Sequence, residues 1–323
     1  MDRLLAAAHG RQTRTRLIAV FSALAVLNAG AWFALFAASH QYPLLLGLGV
    51  TAYVLGLRHA VDPDHIAAID STTRKLMHAG RRPTAVGFFF SLGHSTIVFA
   101  LGAVVVVFGS AIKTRVPAFA HLGAVVGTSV SAIFLLVVAV ANVVILLDIL
   151  HGQSTRDEAI AFPGGILARI LRPSLAMVTQ SWHMYPVGVL FGLGFDTATE
   201  VALLGISAAS AAGGMPILFI MILPLLFAAG MSLVDTAEGV AMLGAYSWAY
   251  VQPRRKIAYN VNMTVFSVLV SLVIGGAEAL AVLGLPFAAS LSFTSVGYGV
   301  LGAFGGSLAL SALVTNSRRG VSG

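Results

Sequence analysis

The sequence predicts an all-α integral membrane protein, a polytopic bundle of about eight transmembrane helices with both termini in the cytoplasm. Three observations carry that expectation. Of 323 residues, 58% are hydrophobic and only 10% charged, and the mean hydropathy is +0.92, well outside the composition of a soluble globular domain. Apolar stretches recur that are long enough to cross a hydrocarbon core of about 30 Å, which takes about 20 helical residues. Nearly all of the 19 basic residues then fall on one side of the membrane, the positive-inside bias of cytoplasmic loops.

The elements follow in chain order. A short basic segment, 1–16, precedes the first span, 17–38. That span exceeds the roughly 7–15-residue apolar region of a secretory signal, so it reads as an uncleaved helix. The second span, 42–62, is Leu-rich and ends in a cluster of ionisable residues. The third, 85–110, and the fourth, 122–147, are dominated by Val, Ala, Leu and Phe. A larger cytoplasmic loop occupies 148–183, with Thr155-Arg156-Asp157-Glu158 and Phe162-Pro163-Gly164-Gly165 and a short interfacial helix at 166–171 beside Arg169 and Arg172. The remaining spans are 184–207, 216–238, 257–277 and 288–314, before a short cytoplasmic tail at 315–323. Little length is left for a soluble domain, so the whole chain, 1–323, reads as one transmembrane domain. The glycines inside spans, such as Gly297, Gly299, Gly302, Gly305 and Gly306, are read as packing seams where helices approach closely.

Charge and sulfur content narrow the function. The net charge of +7 is explained by topology, with only Lys113 and Arg115 in an outer loop and Arg58 inside a span. It therefore does not mark a nucleic-acid surface. The chain has no cysteine, which excludes disulfides and thiolate metal traps and leaves imidazole, oxygen and thioether as ligands.

The most informative stretch is Arg58-His59-Ala60-Val61-Asp62-Pro63-Asp64-His65-Ile66 at the end of the second span. An ionisable group at a bilayer centre costs roughly 2.5–3.5 kcal/mol, so two imidazoles and two carboxylates there point to a functional site. On a regular helix His59, Asp62 and His65 share one face, while Asp64 points elsewhere. Pro63 lacks an N–H and its ring clashes with the carbonyl of residue 59, so the helix is expected to kink or unwind here. Irregular backbone at membrane depth is tolerated where it is buried in protein or lines a wet cavity.

Further polar groups recur along the chain. His94 lies inside the third span next to Gly93, which lets a neighbouring helix come close. Asp196 and Glu200 in the fifth span are four residues apart on one face with no basic partner in that span. Two such acids repel unless a proton or a cation joins them. Asp235 and Glu238 repeat the theme in the sixth span, with Glu238 towards the cytoplasmic interface. Counting Asp70 at a span border, more than half of the 12 acids lie in or at the ends of spans, against Arg58 as the basic residue. Arg58 is placed to neutralise Asp62 or Asp64 in the empty state. Imidazole and carboxylate together suit Ni, Co, Zn or Mn.

With these residues in view, the chain resembles the nickel/cobalt transporter (NiCoT) family. The resemblance rests on His59-x4-Asp64-His65, on Gly93-His94-Ser95, on Leu193-Gly194-Phe195-Asp196-Thr197-Ala198-Thr199-Glu200, and on Gly230-Met231 followed by Asp235-Thr236, in that order. Pro63 stands where the family usually has Ala, and Glu238 where it usually has Asp. The resemblance implies a high-affinity secondary permease, not an enzyme, importing Ni²⁺ and/or Co²⁺ across the cytoplasmic membrane. The metal is then substrate rather than cofactor. Membrane lipid is the remaining partner; neither nucleic acid nor an obligate protein partner is implied. The expected nitrogen ligands are His59, His65 and His94, with Asp62 and Asp64 as direct or charge-balancing ligands. The expected path and proton-coupling groups are Asp196, Thr197, Glu200, Asp235, Thr236, Glu238 and Arg58. Two rivals stay open at this point: an efflux permease of similar architecture, and an intramembrane metallohydrolase, for which the sequence lacks a His-Glu-x-x-His motif.

Overall fold

The structure is a computed structural model. It describes residues 2–108, 178–193, 198–249 and 253–284, together with helical residues scattered between 125 and 147 and at 299, 302 and 306. The expected loop helix at 166–171 lies outside the described residues, as do most of the last span and part of the fourth. Among the described residues every regular element is a helix.

In chain order these are α1 (Asp2–Ser39), α2 (Leu44–His59), α3 (Pro63–His78) and α4 (Val86–Phe108). A 3₁₀ turn at Ser181–His183 then leads into α5 (Met184–Gly192). After it come α6 (Ala198–Ala212), α7 (Ile217–Ile220), α8 (Ile222–Ala249) and α9 (Pro253–Val282). Four stretches are long and apolar enough to cross a membrane: Gln12–Ser39, Val86–Val107, Ile217–Ser247 and Thr264–Val282. A fifth arises if α2 and α3 count as the two halves of one broken span. The described residues are thus all-helical, with several membrane-length helices.

Three boundaries differ from the sequence expectation. The second span stops at His59 rather than running on to Asp62, and the chain re-forms a helix at Pro63. Proline is the reason on both counts. It forces the residue before it out of the helical region, and Asp62 is extended at φ −65°, ψ 140°. Its preset φ and missing N–H also suit the first position of a new helix. Residues 63–78, expected as loop, therefore form α3, which ends where Gly80 takes φ +72° and Arg81 N–H returns to the Leu76 carbonyl. The fifth span is built from two pieces, α5 and α6. The sixth runs well past Glu238, which sits inside α8 rather than at its end.

The chain forms two compact units. The first comprises Met1–Val61, Thr84–Val130 and Ser181–Val240. Its core joins α1, α2, α6 and α8 through Leu35, Leu45, Leu203, Leu226, Phe227 and Met231. Asn28, a polar residue in the middle of α1, is satisfied by the Tyr53 hydroxyl donating to its Oδ1 at 2.9 Å. Glycines set the closest helix crossings. A Cβ on Gly93 would collide with the Tyr185 carbonyl, and one on Gly188 with the Phe90 carbonyl, so α4 and α5 meet backbone to backbone. Gly56 stands in the same way against Phe227 of α8.

The second unit comprises Asp62–Pro83, Ser131–Gln180 and Ala241–Gly323. Ala67, Leu135 and Ile274 form its apolar centre. Beside them Arg74, which sequence reading assigned to a cytoplasmic loop, is buried in α3. Its guanidinium donates to Thr264 Oγ1 at 3.0 Å and to Asn142 Oδ1 at 2.6 Å, and Asn142 passes a further bond to Ser267 at 3.1 Å. One turn earlier, Asp70 accepts a hydrogen bond from the Tyr246 hydroxyl.

Candidate metal site

His59 is the last residue of α2 and is 1% exposed. It is held there because Gly56, one turn earlier, lets α2 press against the backbone of α8, so the helix end is enclosed by protein. The Phe227 ring covers the imidazole, with ring centres 5.4 Å apart. His94 lies in the middle of α4, next to the Gly93 crossing, and is 2% exposed. Glu200 enters from the first turn of α6, 1% exposed, where a carboxylate also complements the positive end of the helix.

These three side chains from three helices converge. His59 Nε2 and His94 Nε2 are 3.0 Å apart, and His94 Nε2 is 2.9 Å from Glu200 Oε1. His59 Nε2 and Glu200 Oε1 are 3.7 Å apart, which closes a triangle. Thr199, also fully buried, places Oγ1 3.2 Å from the other nitrogen of His59, Nδ1. A late first-row divalent ion bound at about 2.0–2.2 Å holds neighbouring ligand atoms roughly 2.9–3.4 Å apart, which is the scale of this triangle. Two neutral imidazoles and one carboxylate make a donor set for such a cation. Leaving these groups idle would be costly in a water-excluded interior.

The other sequence-predicted residues divide into three groups. Asp235 and Thr236 are buried in α8, in the first unit, where Gly87 of α4 crosses the Asp235 backbone; Glu238 is half-buried in the next turn. Arg58 is half-buried at the end of α2. Asp62, Asp64 and His65 belong to the second unit. Asp62 is the buried residue preceding α3, Asp64 is half-buried in its first turn, and His65 is fully buried. The helix breaks between His59 and the pair Asp62 and His65, at Pro63, where the sequence predicts a kink or unwinding. Asp196 and Thr197 lie outside the described residues.

Sequence reasoning passed over Thr199, although it stands beside Glu200 in a segment already singled out. A hydroxyl on an apolar helix carries no signal of its own until its neighbour is known. It also passed over Arg74, whose spacing of four from Asp70 was a usable cue on a helix. The adjoining Lys75, Arg81 and Arg82 disguised it as part of a basic loop.

A family model described as NicO, high-affinity nickel-transport protein, matches residues 45–314 of the chain. The chain is 43% identical over 327 residues to the high-affinity nickel transport protein of Cupriavidus necator, covering 95% of this chain and 93% of that one. It is 47% identical over 291 residues to the nickel transporter NicT of Mycobacterium tuberculosis, covering 83% and 78%. Against the cobalt transport protein NhlF of Rhodococcus rhodochrous the identity is 42% over 319 residues, covering 91% and 90%. No solved structure matches.

Proposed function

The chain belongs to the NicO family of high-affinity nickel-transport proteins, and from that premise we propose that it imports Ni²⁺ and/or Co²⁺ across the cytoplasmic membrane as a secondary permease. The observation that carries this reading is the buried meeting of His59, His94 and Glu200 on three helices of one unit. The family and its relatives are transport proteins, not enzymes, so the metallohydrolase reading falls away.

In the proposed mechanism the ion sheds water as His59, His94 and Glu200 replace it. Their two imidazoles favour the later transition metals over Mg²⁺ or Ca²⁺, which prefer oxygen ligands. His65, with Asp62 and Asp64, joins the path where α2 gives way to α3, and Arg58 balances their charge when the ion has left. Asp196, Thr197, Asp235, Thr236 and Glu238 line the rest of the route or take up coupling protons. All of this sits in one transport domain of eight spans with both termini in the cytoplasm. The helix break at Ala60–Asp62 supports the reading, because broken helices recur at the ion sites of transporters.

The test is uptake of radiolabelled nickel and cobalt, at nanomolar metal, by cells expressing the wild type or His59→Ala. Accumulation above vector cells that disappears in the variant is the expected result. Accumulation below vector cells means efflux, and equality with the vector overturns nickel and cobalt as cargo.

A further inference from the structure

Thr199 touches the proposed metal site without being part of its donor set. What it does there follows from counting protons around the triangle, and the inference rests on the reading of His59, His94 and Glu200 as the metal-binding groups.

His94 Nε2 faces two atoms at hydrogen-bond distance, Glu200 Oε1 at 2.9 Å and His59 Nε2 at 3.0 Å. A carboxylate oxygen only accepts, so the 2.9 Å contact requires a proton on His94 Nε2. His59 Nε2 must then present its lone pair, because two N–H groups pointing at each other across 3.0 Å would repel. A neutral imidazole with a bare Nε2 carries its proton on Nδ1. That nitrogen is the one 3.2 Å from Thr199 Oγ1, so the threonine hydroxyl accepts from His59. A single orientation of protons thus runs along the chain of contacts, from His59 Nδ1 to Thr199 and from His94 Nε2 to Glu200. It leaves the Nε2 lone pair of His59 facing the site.

We propose that Thr199 is a positioning residue: by accepting the Nδ1 proton of His59 it selects the tautomer in which Nε2 is ready to bind the metal ion. The bond gains strength when metal binds, since coordination draws charge out of the ring and makes the Nδ1 proton a better donor. Without the hydroxyl, His59 loses the acceptor that favours this tautomer, and the bare Nε2 is less strongly selected. An outer-shell partner of this kind is worth roughly 10–100-fold in metal affinity. Thr199→Val keeps the shape and β-branching while deleting the acceptor, whereas Thr199→Ser keeps the acceptor and loses a methyl group.

The experiment measures Co²⁺ and Ni²⁺ affinity of the purified full chain by competition with a chromophoric chelator, together with the visible spectrum of bound Co²⁺. Thr199→Val is expected to bind roughly 10–100-fold more weakly, with an altered Co²⁺ spectrum, and Thr199→Ser to stay near the wild type. Wild-type affinity in Thr199→Val, or equal losses in Val and Ser, overturns the inference. His59→Ala and His94→Ala are measured alongside. If they bind metal as the wild type does, the metal-site reading itself fails. If they lose binding while Thr199→Val does not, only the role of Thr199 fails. Independently of how the threonine variants fold, nitrogen-15 NMR of histidine-labelled wild type reads the tautomer directly. A resonance pair lost in His59→Gln is expected to report a protonated Nδ1 and bare Nε2, and the opposite tautomer refutes the assignment.

Discussion

At the scale of single residues, the site is made of groups that a membrane protein keeps only at a cost. His59, His94 and Glu200 are each almost fully enclosed, and they satisfy one another through the same few atoms a cation would bind. That arrangement has a consequence for pH. An imidazole ligates through a lone pair, so protons compete with metal, and acid removes the ligand while mild alkali restores it. The sign is therefore a fall in uptake as the medium is acidified. Initial rates of nickel uptake at subsaturating metal between about pH 5 and 8 check this, with a flat profile as the contrary result.

At the scale of helices, glycine decides how near the ligands come to one another. His94 lies beside Gly93, whose lack of a side chain lets the Tyr185 carbonyl approach, and Gly188 returns the same contact from α5 to α4. Gly188→Ala should force these helices apart, costing about 1–3 kcal/mol by overpacking and weakening uptake as well. Gly47→Ala in α2, where a Cβ would meet nothing within 4 Å, should leave both unchanged. Thermal melting in detergent and uptake in cells read the pair together. Helix α3 carries a different dependence. Arg74 reaches both Thr264 and Asn142 from a buried position one turn from Asp70. Arg74→Met removes the donor and the charge but keeps most of the bulk. Leaving a buried acceptor without its donor costs about 1–3 kcal/mol, so a drop in melting temperature is expected. An unchanged melting curve would show that Arg74 is dispensable to the unit.

At the scale of the whole molecule, the basic residues assign the proposed orientation. The absence of native cysteine makes that orientation directly measurable, because any introduced thiol is the only one present. Cysteines at Arg14, Arg82 and Arg319 should react with a membrane-impermeant thiol reagent only after the cells are opened. A cysteine at Lys113 should react in intact cells. Labelling of Arg319→Cys from outside would remove the even number of spans. Arg74 is a reminder that the positive-inside count is statistical: one of its cytoplasmic charges is a buried structural residue, and the bias survives without it.

Composition and hydropathy made the helical membrane class legible because apolar length is a property of local sequence, and hydrocarbon admits few alternatives to a helix. The ligand types were legible for the same reason: His59, His94 and Glu200 are conspicuous wherever they stand in an apolar stretch. Pro63 announced a break, since its geometry acts on its own neighbours. Beyond that range local rules gave out. Whether the break was a kink or a fresh helix depended on burial of most of α3, which its polar appearance concealed. That His59 meets His94 and Glu200, and that Thr199 rather than a nearer neighbour holds the far side of its ring, depends on helices brought together across 35 to 140 residues. Those pairings are set by glycine crossings and by the packing of whole helix faces, and such packing is a property of surfaces that exist only once the chain has folded.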